Sequence, residues 1–461
     1  MAKESKYGFN YEHIAKRAKD VKDIAYEFCD GYKIFMNESK IERECVEYII
    51  NFAKNNGYKE YNGNVNTLNK GDKFYFNNRG KSVILFTVGE KPLSDGINFV
   101  ISHIDSPRLD LKPNPMYESE EISYFKTHYY GGIKKYQWTT IPLSMHGRIF
   151  KEDGSFVDIN YGEKDNEPKF IITDLLPHLA KEQEQRTLRD GIKGEELNIV
   201  IGSIPIEEDD DNIKCKVKEN TLEILNKIWG ITEKDFARAE IEFVPSNLAA
   251  DIGFDKSMIA AYGQDDKVCA YPALMAEIEN LNPIKTSMTV FTDKEEIGSE
   301  GNTGMVSNYL FNLVEDLCDM MHIKKSECYR NSICLSSDVN SAYDPTFSDV
   351  FEKMNSSYIN KGVVLTKYTG HAGKSGSNDA SAETMARVIK MMDDNQVVWQ
   401  IGELGKVDIG GGGTIAKYVS ERDIDTVDLG VAVLSMHSPY ELTSKLDIYE
   451  TYLAYKAFLK N

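Results

Sequence analysis

A chain of 461 residues with 41% hydrophobic and 28% charged side chains is too long for one ordinary core, and its composition is that of a globular protein with two domains. The formal charge of -19 excludes nucleic acid as a natural partner, because phosphate contacts need clustered Lys and Arg. No run approaches the ~20 apolar residues of a membrane span, and the opening Met1-Ala2-Lys3-Glu4-Ser5-Lys6-Tyr7-Gly8 has no apolar stretch or cleavage site. A cytoplasmic protein without membrane contact is expected.

The cysteines at 29, 45, 215, 269, 318, 328 and 334 show no Cys-x-x-Cys spacing, which argues against a disulfide framework and a thiolate zinc site. Buried free thiols in a reducing compartment are the simpler expectation.

Residues from about 8 to 56 carry helical periodicity, with Val21, Ile24, Ala25 and Phe28 followed by Val46, Ile49, Ile50 and Phe52. From Lys73 short β-rich runs take over, broken by Asn78-Arg79-Gly80 and Gly89-Glu90-Lys91-Pro92, and they lead to a strand ending at His103. Between about Pro113 and Pro245 the texture changes to short aromatic and β-branched runs parted by turn signals, with a polar stretch near Glu207 to Asp211. This spacing predicts a β-rich domain, residues 113-247, inserted into a larger one made of 1-112 and 248-461. After Ala249 strands and helices alternate: a helix from Val268 to Glu279, a strand toward Glu295, a helix from about Thr303 to Met321, a strand toward Asp338, a helix from about Ala380 to Met392, a strand from Val427 to His437 and a final helix. The expected fold is α/β, a mixed, mostly parallel sheet flanked by helices on both faces.

Four apolar runs end in residues that bind metals: Ile97-Asn98-Phe99-Val100-Ile101-Ser102-His103, Met288-Thr289-Val290-Phe291-Thr292 leading to Glu295-Glu296, Ile333-Cys334-Leu335-Ser336-Ser337-Asp338, and Val427 to His437. In open α/β sheets ligands bind beyond the carboxyl ends of the strands, so four distant positions are expected to converge there. Asp265-Asp266 opens a helix, where acidic residues are favoured by capping and the helix dipole alone. A bridging carboxylate is the sharper reading, with Asp265 preferred over its neighbour.

The set His103, Asp265, Glu295, Glu296, Asp338 and His437 holds two imidazoles and four carboxylates. That inventory fits a dinuclear centre with one His and one acid per metal, a shared carboxylate, and one free Glu to take a proton from water. Zinc is the default metal, with manganese or cobalt as alternatives. Asp105, two residues after His103, is placed to fix that ligand's tautomer.

The chain resembles the aspartyl aminopeptidase and aminopeptidase I family of dizinc exopeptidases. The likeness rests on Ser102-His103-Ile104-Asp105-Ser106-Pro107-Arg108, Gly263-Gln264-Asp265-Asp266, Asp293-Lys294-Glu295-Glu296-Ile297-Gly298-Ser299, Ser337-Asp338-Val339-Asn340-Ser341-Ala342-Tyr343-Asp344-Pro345 and Met436-His437-Ser438-Pro439-Tyr440-Glu441, in the family's order. It implies a dizinc exopeptidase fold and a metal-dependent aminopeptidase that removes N-terminal residues, acidic Asp or Glu among them, from peptides with a free N-terminus. By the same resemblance, His103 and Asp338 hold opposite metals, Asp265 bridges, Glu296 and His437 complete a set of two Zn2+ per subunit, Glu295 is the general base acting on a metal-bridging water, and Asp105 supports His103. It further implies that the inserted domain dimerises, that His178 reaches into a neighbouring subunit's site, and that the subunits form a homo-oligomer, a tetrahedral dodecamer built from dimers.

The Asn-rich Arg-Tyr element of the aspartyl-specific eukaryotic members is missing from the segment Lys367 to Asp379, where only Lys367 matches a specificity-linked lysine. A pocket for an acidic residue needs a cation, and Lys367 or Lys374 would supply it. Gly410-Gly411-Gly412-Gly413-Thr414 lacks the Gly-Lys-Ser/Thr ending of a phosphate loop, and the resemblance suggests a backbone passing close to bound peptide instead. The alternatives are a related dinuclear metal hydrolase of N-acyl amino acids or of C-terminal peptide bonds, and a scaffold of the same fold that has lost chemistry.

Overall fold

A computed structural model describes residues 7-16, 21-63, 65, 67-207 and 213-461. Most of the polar stretch expected near Glu207 to Asp211 lies outside the described residues, as do the first six residues and part of the N-terminal helical stretch. Two compact units emerge: Met1–Asp105 with Ala249–Met436 and Glu441–Asn461, and Ser106–Leu248 with His437–Tyr440.

The first unit is built on a nine-stranded sheet. Its strands lie in the order Lys59–Glu60, Lys73–Asn78, Ser82–Thr87, Thr286–Thr292, Ile97–His103, Ile333–Ser336, Asp425–Gly430, Val363–Thr366 and Trp399–Ile401. The middle four, from Thr286–Thr292 to Asp425–Gly430, run parallel to one another, and antiparallel pairs flank them. The sheet is thus mixed and mostly parallel, as the alternation of strands and helices leads one to expect.

Both faces are covered, and for this reason the central strands read as unbroken apolar runs. Val83, Leu85, Val100, Phe291 and Leu335 join a core with the helices Val21–Glu38, Glu42–Asn55, Gln264–Glu279, Ala382–Asp394 and Lys445–Lys460. Their strand neighbours Ile84, Phe86, Ile101, Val290 and Cys334 join the opposite core with Tyr309–Met320 and Lys325–Asn331. The two cores follow the period of two that a strand imposes.

The helix expected from Thr303 begins instead at Tyr309. Gly304 lies so near the Ser299 carbonyl that a Cβ there would collide with it, and the chain stays in turns until Asn308. The run Val427 to His437 is not one strand. Asp425–Gly430 belongs to the nine-stranded sheet, whereas Ala432–Leu434 joins a five-stranded sheet with Asn340–Ser341, Glu441–Ser444, Met258–Ala261 and Ala250–Ile252. At the changeover a Cβ on Gly430 would strike the Asp338 carbonyl oxygen, so the chain passes there with no room for a side chain.

The second unit is a seven-stranded, fully antiparallel sheet in the order Phe156–Tyr161, Leu143–Phe150, Ala239–Pro245, Arg108–Ser119, Ile122–Tyr130, Asn198–Gly202 and Ile171–Ile172. The expected changeover at 112/113 falls inside the strand Arg108–Ser119, so the texture change in the sequence starts some residues after the unit itself. A helix, Lys216–Trp229, stopped by Gly230 in the left-handed region at φ 66°, adds to the β-rich composition. Of the seven cysteines, all free, six are buried and Cys215 is exposed, which corrects the expectation of uniform burial.

Candidate metal centre

Register brings three strand ends to one level. Thr292 pairs with His103 across parallel neighbours, and Ser336 pairs with Ile101, so Asp338 lies two residues further on, as His103 does from Ile101. After Thr292 the chain leaves the sheet through Asp293 and Lys294, the latter at φ 69°, into the short turn Glu295–Ile297. Asp265 comes from the first turn of Gln264–Glu279, where its own backbone is not helical.

His103 is the hub. Its ring is buried, and Nδ1 donates to the Asp105 carbonyl oxygen at 3.0 Å, which turns Nε2 toward the surrounding carboxylates. Nε2 stands 3.1 Å from Asp265 Oδ1 and 3.9 Å from Asp338 Oδ1. Two sets of ligand atoms lie within 4.8 Å of one another: His103, Asp265 and Glu296, and His103, Glu295 and Asp338. Among the described residues no further group of this kind occurs.

Asp105 does more than face the imidazole. Fully buried, it accepts the backbone N–H of Glu295 at 3.1 Å and of Glu296 at 3.2 Å, one on each carboxylate oxygen. One side chain thereby sets the turn that carries both glutamates. Behind Asp265, the buried Glu441 accepts the Asp265 N–H at 3.0 Å, and its carbonyl accepts Gln264 Nε2 at 2.6 Å. Asp266 is also fully buried.

The electrostatics are those of a cation site. Burial opposes charge on His103, yet hydrogen bonds to Asp105 and Asp265 outweigh it and hold the imidazole pKa well above its ordinary value. Asp338 is pushed well above the usual carboxylate range by burial, with the charges of Glu295, Asp265 and Asp266 acting in the same direction. An imidazole among carboxylates is a donor set that fits zinc.

His437 does not end a strand of the nine-stranded sheet. It sits at φ 63° in the second unit, with Nδ1 donating to the Gly132 carbonyl oxygen at 2.8 Å, and neither donor group includes it. Sequence pattern treated its run as continuous because Gly430 looks innocuous among Val and Leu. His178 is exposed within the short turn Pro177–Leu179. Lys367 Nζ and Lys374 Nζ both pair with Asp379, at 2.5 and 3.0 Å. The glycine stretch abuts this same loop: Gly370 N–H donates to the Gly412 carbonyl at 2.6 Å, and Gly411, at φ 120°, leaves no room for a Cβ beside Gly370. Close approach of neighbouring backbone explains Gly410 and Gly411. Sequence reasoning missed Glu441 as a support, although it lies within the segment Met436 to Glu441.

An imidazole and converging carboxylates at the carboxyl ends of parallel strands define a metallohydrolase, and comparison with known proteins specifies which class. The chain belongs to the aminopeptidase I zinc metalloprotease (M18) family, whose model matches residues 35–459. It is 48% identical over 450 residues to a probable M18 family aminopeptidase 1 of Clostridium acetobutylicum, with 96% of each chain covered. A crystal structure of an M18 aminopeptidase from Thermotoga maritima superposes with a TM-score of 0.94 at 42% identity, covering 98% of this chain and 100% of that one. A more distant yeast aminopeptidase, solved as a dodecamer, has the same fold at a TM-score of 0.74 and 24% identity, covering 95% of this chain and 97% of that one. The protein is a metallo-aminopeptidase, a hydrolase of peptide bonds. The acyl-hydrolase and scaffold alternatives fall away, and no helix among the described residues is long and apolar enough to cross a membrane.

Proposed function

We propose that the protein removes single N-terminal residues from peptides at a centre of two zinc ions, with Glu295 as general base. The observation that carries this reading is the convergence of Asp265, Glu295, Glu296 and Asp338 on the His103 imidazole. His103, Asp265, Glu296 and Asp338 would hold the metals, Asp265 would bridge, and the resemblance adds His437. Bound there, the metals would supply Lewis acidity toward a water and the scissile carbonyl. Glu295 takes the proton from the attacking water and returns it to the leaving amine. Asp105 keeps the Nδ1-protonated tautomer of His103 and, through two backbone N–H groups, keeps Glu295 and Glu296 in register.

An acidic first residue is the narrower part of the proposal, with Lys367 as its cation. Because Lys367 already pairs with Asp379, binding would exchange one carboxylate for another on a half-exposed lysine. The advantage of Asp or Glu over neutral residues is then no more than about tenfold. His178, exposed in the second unit, is proposed to complete the site of a neighbouring subunit in a dodecamer of dimers, and the cytoplasm is the proposed location.

The test is release of the N-terminal residue from a peptide panel by wild type and Glu295→Gln, each reconstituted with zinc, manganese or cobalt, with metal content measured alongside. Wild type is expected to cleave, and Glu295→Gln to keep about two metals per chain while losing about a thousandfold in kcat. A Glu295→Gln enzyme at wild-type rate overturns the base assignment. Loss of metal in that variant makes Glu295 a ligand instead.

A further inference from the structure

A buried ionic cluster lies behind the Glu295-Glu296 turn. Lys81, in the tight turn between the strands Lys73–Asn78 and Ser82–Thr87, is only 8% exposed, and its Nζ stands 3.0 Å from Glu42 Oε1 and 3.9 Å from Asp293 Oδ2. Glu42 is the first residue of the helix Glu42–Asn55, and both carboxylates are fully buried. Asp293 Oδ2 also accepts the Thr303 hydroxyl at 2.6 Å and faces Lys294 Nζ at 3.4 Å.

Thr303 closes a neck. Its carbonyl accepts the Thr292 hydroxyl at 3.2 Å and the Asp293 N–H at 3.4 Å, while the neighbouring Asn302 carbonyl accepts Asn78 Nδ2 at 3.2 Å. Residues 293 to 303 thus form a loop pinned at its neck, where Thr303 meets the end of the strand Thr286–Thr292, with Glu295 and Glu296 on its near arm. Asp105 grips that arm by its backbone, and Lys81 holds the neck.

A buried pair broken by removal of one partner leaves the other charge uncompensated, and structure rearranges to relieve it. Without Lys81, the buried Glu42 and Asp293 carboxylates lose the ammonium between them, and Lys294 stays beside Asp293. We propose that Lys81 is a positioning residue for catalysis: by holding the Asp293 carboxylate against Thr303 at the neck of the loop, it sets where the Glu295 carboxylate stands. The inference rests on the reading of Glu295 as the base. Removal of Lys81 is expected to act on the rate, and metal content and KM are the readouts that separate this from a loss of the donor groups.

The experiment compares Lys81→Met, Lys81→Arg and Thr303→Val with wild type and Glu295→Gln, reading kcat, KM and metal content on reconstituted enzyme. Misplacing a catalytic group by about 1 Å costs roughly a hundredfold, so Lys81→Met is expected to lose about 30- to 100-fold in kcat with KM within about twofold of wild type and metal content unchanged. Lys81→Arg restores most of the rate, since it returns the cation. Thr303→Val, which removes the hydroxyl donor at little change in volume, shows the same pattern at about a tenth of the loss, and it carries the test if Lys81→Met does not fold. Wild-type kcat in Lys81→Met or Thr303→Val, failure of Lys81→Arg to exceed Lys81→Met, or a joint fall of kcat and metal content overturns the inference. A silent Lys81→Met beside an inactive Glu295→Gln overturns it alone, whereas an active Glu295→Gln removes the base reading beneath it.

Discussion

A single buried acid and a group of partly buried acids sit at opposite ends of the strand Thr286–Thr292, and they are built on opposite rules. At the amino end, Glu277 accepts hydroxyls from Thr87 at 2.8 Å, Tyr58 at 3.1 Å, Ser287 at 3.1 Å and Thr289 at 3.2 Å. Burial raises its pKa and the hydroxyl donors work against that rise. At the carboxyl end, His103, Asp265, Glu295, Glu296 and Asp338 converge with one imidazole among four carboxylates. An acid surrounded by neutral donors is complete without an ion, whereas acids facing acids require a cation. Burial alone therefore does not mark a functional carboxylate; its neighbours do.

The contrast breaks most sharply at His103, the residue common to both donor groups. His103→Ala is expected to lose at least one metal per chain and about a thousandfold or more in activity, followed by elemental analysis and residue-release kinetics. Retained metal at wild-type level would place the centre elsewhere. Next in size, Glu277→Ala leaves four hydroxyls without their shared acceptor and should cost about 3 kcal/mol of stability, read as a lower urea midpoint, with kcat and metal content unchanged. A loss of rate at constant stability would erase the distinction between the two ends.

The smallest effect sharpens it through a third buried acid of the sheet. Asp428 accepts the Thr414 hydroxyl at 2.7 Å, and burial pushes its pKa up to about 6 against the hydrogen bonds of Thr414 and Ser336. Its folded pKa exceeds its unfolded value of ~3.9, so its stabilising contribution is complete below that pH and lost as pH rises through about 6. Asp428→Asn should match wild type near pH 4 and exceed it by roughly 2 kcal/mol at pH 8, measured by denaturant unfolding at both pH values.

The sequence makes the carboxyl end of the sheet legible because three strands announce it. Apolar runs broken by His103, by Glu295-Glu296 and by Asp338 are rare enough to stand out, and parallel register then brings them level. His437 is harder to place, since its run hides a change of sheet at Gly430. Glu277 cannot be picked out among 73 acidic residues, because its hydroxyl partners lie up to 219 positions away. Lys81 and Glu42 stay silent for the same reason: a buried ion pair leaves no periodic trace, and long-range pairing is decided only once helix and hairpin have packed. The texture change after Pro113 marks a β-rich segment, but one helix within it, Lys216–Trp229, is short enough to pass as another apolar run.

Gly430 has a further consequence for anyone who remodels this enzyme. The backbone at that residue rests against the carbonyl of Asp338, so even a methyl group would have to move the Asp338 main chain in order to fit. A saturation library at position 430 should therefore return a single amino acid under selection for turnover, and tolerance elsewhere in the strand Asp425–Gly430 would not extend to it. The position works as a mechanical stop, transmitting any enlargement of the strand directly to the main chain at Asp338.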